Sequence, residues 1–185
     1  MTITLDDCDL TMGWNENLCA GTIGGIKKVI PVPKSLLNYT SLVITANEIT
    51  TFNLVTPGVG GGYEWELEPG LSSATYPTER TDRGGVMTNQ TLAMVLNNDT
   101  KDLRAELIRL AKNTCVFFVQ KNNETWICLG LRDGLRATTG NEGTTGAAKT
   151  DPNGHTMSFI GREVEQVYDV DEAVIAAITI DESSS

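Results

Sequence analysis

Cations, histidine and aromatic side chains are scarce in this chain. Its 185 residues include 14 Lys and Arg against 24 Asp and Glu, a formal net charge of −10, with a single histidine and 6% aromatics. Phosphate contacts need clustered Lys and Arg, so this composition argues against a general nucleic-acid binder. No apolar run reaches the roughly 18 residues of a transmembrane helix, and no membrane insertion is expected. The start, Met1-Thr2-Ile3-Thr4-Leu5-Asp6-Asp7, lacks a basic stretch followed by an apolar one, so no signal peptide is expected. The cysteines Cys8, Cys19, Cys115 and Cys128 form no Cys-x-x-Cys pair, and His155 is far from all of them in sequence. That pattern argues against zinc and for reduced thiols used as small apolar side chains in a reducing cytoplasm. Asn38, Asn89, Asn98 and Asn123 head N-x-[ST] triplets, which without a secretory signal reflect only a chain rich in Asn and Thr.

The remaining composition, 40% hydrophobic and 21% charged, is that of an ordinary globular chain of one domain. Residues 1–38 read as an N-terminal arm and an irregular lead-in, in which Pro31 and Pro33 exclude a central strand or a helix. Two β-branched runs, 41–46 and 49–55, predict a hairpin turning at Asn47-Glu48. The loop Thr56-Pro57-Gly58-Val59-Gly60-Gly61-Gly62 contains a Gly-x-Gly, but no helix succeeds it, which argues against a dinucleotide loop. The next six residues alternate with period two, setting Tyr63, Trp65 and Leu67 on a buried face and Glu64, Glu66 and Glu68 on a wet one.

Residues 70–84 are rich in turn formers, and Val86 to Leu96 reads as a long strand. One helix is expected over about residues 99–112, with Asn98, Asp99 and Thr100 as capping candidates and Leu103, Leu107, Leu110 and Ala111 in one apolar stripe. Cys115–Lys121 and Glu124–Gly130 form a second hairpin. Mirror pairing across a two-residue Asn122-Asn123 turn sets Lys121 opposite Glu124 and Phe117 opposite Cys128, which predicts no disulfide. A long Gly-rich loop spans 133–154, 156–161 is a strand, Val174–Ile180 a final strand, and the last residues, 183–185, a tail. The expected fold is mainly β: an antiparallel β-sandwich or partly closed barrel over 39–182 with one packed α-helix, long loops and an N-terminal arm.

The second half resembles a known family. The resemblance lies in Gln90-Thr91-Leu92-Ala93-Met94, Leu107-Ile108-Arg109-Leu110-Ala111, Trp126-Ile127-Cys128-Leu129-Gly130-Leu131-Arg132-Asp133-Gly134-Leu135, Thr145-Gly146, Asp151-Pro152-Asn153-Gly154-His155-Thr156 and Ile160-Gly161-Arg162-Glu163. Cys19 to Ile26, with Gly24-Gly25-Ile26, adds an N-terminal part. This pattern is similar to structural tail proteins of tailed bacteriophages, particularly those infecting Bacteroidetes, over about two thirds of the chain. It implies a tail-tube-like fold assembled into rings around a DNA channel, in a virion tail made in the cytoplasm of the bacterial host. The implied partners are further copies of the chain and other tail or neck proteins, with no cofactor and no catalytic residue.

Under that reading Glu64, Glu66 and Glu68 are candidates for the channel wall, where like charge repels DNA phosphates. Trp14 and the loop glycines Gly58, Gly60, Gly61, Gly62, Gly140, Gly143 and Gly146 are candidates for inter-subunit contact. A neck, terminator or hub ring protein is an alternative role, as is a monomeric β-sandwich that binds a ligand or receptor. An enzyme is the least supported class, because no nucleophile and base stand at a recognisable spacing.

Overall fold

The computed structural model describes residues 24–57, 62–68, 70–97, 99–138, 142–145 and 153–179. The described chain is mainly β. Strand β1 (Ile26–Pro33) leads through a single 3-10 turn (Lys34–Leu36) to the hairpin β2 (Leu37–Thr45) and β3 (Glu48–Leu54). Short strands β4 (Trp65–Glu66), β5 (Ser73–Thr75) and β6 (Thr78–Arg80) precede the long β7 (Val86–Asn97). Helix α1 (Lys101–Lys112) is followed by the hairpin β8 (Cys115–Lys121) and β9 (Trp126–Leu129). Then come β10 (Arg136–Ala137), β11 (Glu142–Thr144), β12 (Gly154–Glu163), β13 (Tyr168–Val170) and helix α2 (Glu172–Ile178).

Two sheets result. The first has the order β2-β3-β13-β9-β8-β1-β4, and the second is built on the β7/β12 pair, flanked by β10 and β11 on one side and β5 and β6 on the other. All pairings are antiparallel except β13 with β3. Alternation along β7 turns Leu92, Met94 and Leu96 inward to meet Met157 and Phe159 of β12. Against them stand Phe117, Val119, Ile127 and Leu129 of the first sheet, with the rings of Phe117 and Phe159 tilted against each other at 4.8 Å across the interface. Leu107 and Leu110 of α1 join this core from the side, as their periodicity predicts. Thr100 caps the helix by accepting the Leu103 N–H at 3.2 Å, while Ala111, at the end of the expected stripe, is exposed.

The central strands of the first sheet, β1, β8 and β9, are buried on both faces. Its far face carries Ile30, Val116, Phe118, Trp126 and Cys128, and curls around Phe52 and Leu54 of β3. The curl is pronounced: β2 begins immediately after the 3-10 turn that ends β1, although four strands separate the two in the sheet. Helix α2 seals this second core with Val174, Ile175 and Ile178. The architecture is thus a two-sheet sandwich, one sheet of which is a partly closed barrel.

Several local expectations change. Residues 174–178 are helical, not a strand: Asp171 accepts the Ala173 N–H at 2.8 Å as an N-cap, and the apolar residues fall at i, i+1 and i+4 over the barrel mouth. The described chain therefore has two helices. The stretch read as a lead-in holds β1, a strand paired on both sides. It tolerates its prolines because Lys34 N–H points to Thr114 O on the β8 side, so by alternation the nitrogens of Pro31 and Pro33 face the other side, where β4 has already ended. The first hairpin turns at Ala46 and Asn47, both at positive φ. The second has a three-residue loop ending in Glu124 at φ 70°, which pairs Phe118 with Cys128 and shifts the expected register by one. The Gly-rich stretch 133–154 is interrupted by β10 and β11, each paired to β12.

Candidate assembly surfaces

Three of the segments that carry the family resemblance meet at one place. After β9 the chain crosses from the first sheet to the second through Gly130-Leu131-Arg132-Asp133-Gly134, with Gly130 at φ 72° and Gly134 at φ 78°. Leu135 then pairs with Cys115 through two backbone hydrogen bonds of 2.8 and 3.0 Å. Two buried polar side chains of the second sheet hold this crossover. Gln90 Oε1 accepts the Gly130 N–H at 2.7 Å. The Glu163 carboxylate accepts three N–H groups, from Arg132 at 3.2 Å, Asp133 at 2.9 Å and Gly134 at 3.2 Å. From the barrel side, Tyr39 donates its hydroxyl to Leu131 O at 2.8 Å. Burial pushes Glu163 above the ordinary carboxyl range, against the three donors, and pushes Tyr39 up to about 12. The crossover clamp is missing from the reading of the sequence. Its signal was a polar residue in phase with an apolar face: Gln90 with Leu92 and Met94, Glu163 with Met157 and Phe159.

Of the candidate wall residues, Glu64 and Glu66 converge on one cation. Lys28 Nζ lies 2.6 Å from Glu64 and 4.0 Å from Glu66, and its hydrogen bond to Glu64 raises the pKa of the ammonium. Glu68 is exposed beyond the end of β4. The opposite face buries Leu67 and half-buries Trp65, but Tyr63 is 44% exposed, so the expected three-residue apolar face is two residues long. Only Lys28 and Val29 of β1 pair with the strand, and just past its end the Leu67 N–H donates to Lys27 O at 2.9 Å.

Trp14, Gly58, Gly60, Gly61, Gly140 and Gly146 lie outside the described residues. Gly62 is buried within the chain, whereas Gly143 is exposed. Gly62, at φ 89°, abuts the Ile178 carbonyl at the end of α2. A Cβ on Gly143 would stand 2.7 Å from the imidazole of His155. That imidazole is held at Nε2 by Asp99 Oδ1, 2.9 Å away, and Asp99 Oδ2 takes Arg104 at 2.6 Å. His155 is thus the bolt that ties β12 to the entry of α1, and it holds the Asp99 carboxyl below its ordinary range. A hollow of about 310 Å³ adjoins it, lined by Leu107, Ile108, Ala111 and Met157.

The thiols Cys115 and Cys128 are buried and free, as expected, and burial raises the first to about 12 and the second further. Among the described residues no group of three or more His, Cys, Asp or Glu side chains could hold a metal. No helix among them is long and apolar enough to cross a membrane.

At the end of the barrel away from Thr114, where β8 turns into β9, two adjoining hollows of about 390 and 380 Å³ share Trp126 and Glu172. Their rim carries Glu48, Glu124, Asp169, Asp171 and Glu172. Lys27 pairs with Glu124 at 3.5 Å and Lys121 with Asp169 at 3.8 Å. No protein-family model, curated protein or solved structure matches this chain.

Proposed function

We propose that this chain is a structural virion protein of a tailed bacteriophage, assembling with copies of itself into rings that build the tail tube or its channel for DNA passage. The observation that carries this reading is the crossover clamp. Gln90, Gly130, Arg132, Asp133, Gly134 and Glu163 come from separate stretches of the resemblance and act together as one device joining the two sheets. The resemblance therefore concerns an architecture, which is what a structural role requires. The mainly β sandwich with a flanking helix and the net charge of −10 agree with it. In this reading the chain has no catalytic role and needs no cofactor. Its place is the virion tail, with a neck, terminator or hub ring as the alternative position. Lys28 leaves the set Glu64, Glu66 and Glu68 with two net negative charges, three carboxylates less one ammonium, so a ring would still present a negative band if that face lines the channel.

Negative-stain microscopy of the purified full chain, with light scattering across a concentration series, tests the proposal. Rings or tubes are the expected result. A monomer at every concentration would overturn it and favour a monomeric binding module, for which the hollow beside His155 is the natural ligand site.

A further inference from the structure

We propose that the outward face of α1 in one copy docks into the acidic groove beside α2 in a second copy, making a head-to-tail contact. This rests on the reading of the chain as self-assembling and names the surfaces that would do it.

The donor surface is a stripe. Lys101, Arg104, Ala105, Ile108 and Lys112 recur at helical spacing on the side of α1 away from Leu103 and Leu110, and all five are exposed. Ile108 at its centre is 56% exposed, a large apolar side chain without cover. The stripe holds three cations and no carboxylate. Asp102 lies on the flank, as does Glu106, which is paired with Arg109. Arg104 is engaged by Asp99, but Lys101 and Lys112 meet no carboxylate among the described residues. They stand about 16 Å apart along the axis, at 1.5 Å per residue.

The acceptor surface has the complementary character. Its rim of five carboxylates, less Lys27 and Lys121, keeps three net negative charges. Trp126, Val170 and Ile175, all largely buried, and exposed Ala176 line it between the carboxylates. A convex basic helix fits a concave acidic groove, the helix-in-groove mode. Exposed ion pairs contribute little by themselves, so removal of Ile108 from water is the main source of affinity, while the charges set orientation and partner choice.

The two surfaces are far apart on one copy. Helix α1 ends beside the Cys115 end of β8 and the groove lies at the Lys121 end, about 20 Å away along the strand. Two different patches of one chain make a heterologous contact, which closes into a ring or continues as a filament.

The test uses the full chain in three forms, with thermal melts to show that each is folded. Lys101→Glu with Lys112→Glu reverses the helix, Glu48→Lys with Glu172→Lys reverses the groove, and the third form carries all four changes. Each pair should raise the concentration for half-assembly at least about tenfold, and the fourfold variant should return close to the unmodified protein. Sedimentation velocity reads all three. If either pair assembles like the unmodified chain, or the four changes together fail to restore assembly, the docking assignment is wrong, while rings of the unmodified protein would leave the structural role standing. If the unmodified protein never assembles, both readings fall.

Discussion

Replacing Glu163 by Gln tests the crossover clamp with a change of one atom. The carboxylate holds three N–H donors, two on Oε1 (Asp133 and Gly134) and one on Oε2 (Arg132). An amide can place its oxygen at the Oε1 position and keep two of these bonds. Its NH2 then faces the Arg132 N–H, and one acceptor becomes a donor. A donor left without a partner costs about 1–3 kcal/mol, and bonds to a neutral oxygen are worth roughly 1 kcal/mol less than those to a charged one. Relief of the buried charge offsets part of that loss, which brings the expected net destabilisation to about 1–3 kcal/mol near neutral pH.

The pH dependence has a definite sign. Burial raises the folded-state pKa of Glu163 above its ordinary 4.5, so in the window just above 4.5 the folded chain binds more protons than the unfolded chain. The stability this group contributes is fully present below the window and falls as pH rises through it. Gln does not titrate. The gap between the two proteins should therefore be widest in acid and narrow toward neutrality. Urea unfolding across the acid-to-neutral range measures it. A difference under about 0.5 kcal/mol at every pH would show that the crossover is held by something else. A gap that widens with pH would show that the three donors outweigh burial.

Other consequences are more local. Leu107→Ala should destabilise by about 2–5 kcal/mol in urea melts, because the side chain is buried in the inter-sheet core and α1 cannot collapse onto two rigid sheets. Asp99→Asn should flatten the acid limb of the stability profile: His155 and Arg104 depress the Asp99 pKa below 3.8, so its contribution is present above that value and is lost as pH falls through the lower one. Urea midpoints in the acid range, compared with the unmodified chain, read this directly. Cys115 and Cys128 should resist alkylation in the folded protein at mildly alkaline pH and react on unfolding, since burial raises both thiols; mass spectrometry of trapped peptides detects either outcome.

Elements written in short-range signals were legible from the residues alone. Helix α1 declares itself through Thr100 as cap and leucines at 103, 107 and 110, and strands are read at 86–96 and 156–161, within the longer β7 and β12. The mainly β class, the first hairpin and the two reduced thiols rest on the same local chemistry. Decisions that depend on distant partners were not legible. Val174–Ile178 has the β-branched content of a strand, and becomes a helix because a curled sheet leaves an open mouth for one apolar face to close. Pro31 and Pro33 read as strand breakers, yet their missing N–H groups face an edge with no neighbour to receive them. Glu124 at positive φ moves a whole register by one residue, a backbone choice that pairing rewards and composition does not reveal. Burial of Glu163 depends on a loop 30 positions away in sequence from its closest bond. Periodicity and capping act within a few residues, so they can be read along the chain. Sheet order, closure and the satisfaction of buried polar groups are properties of segments brought together only by folding.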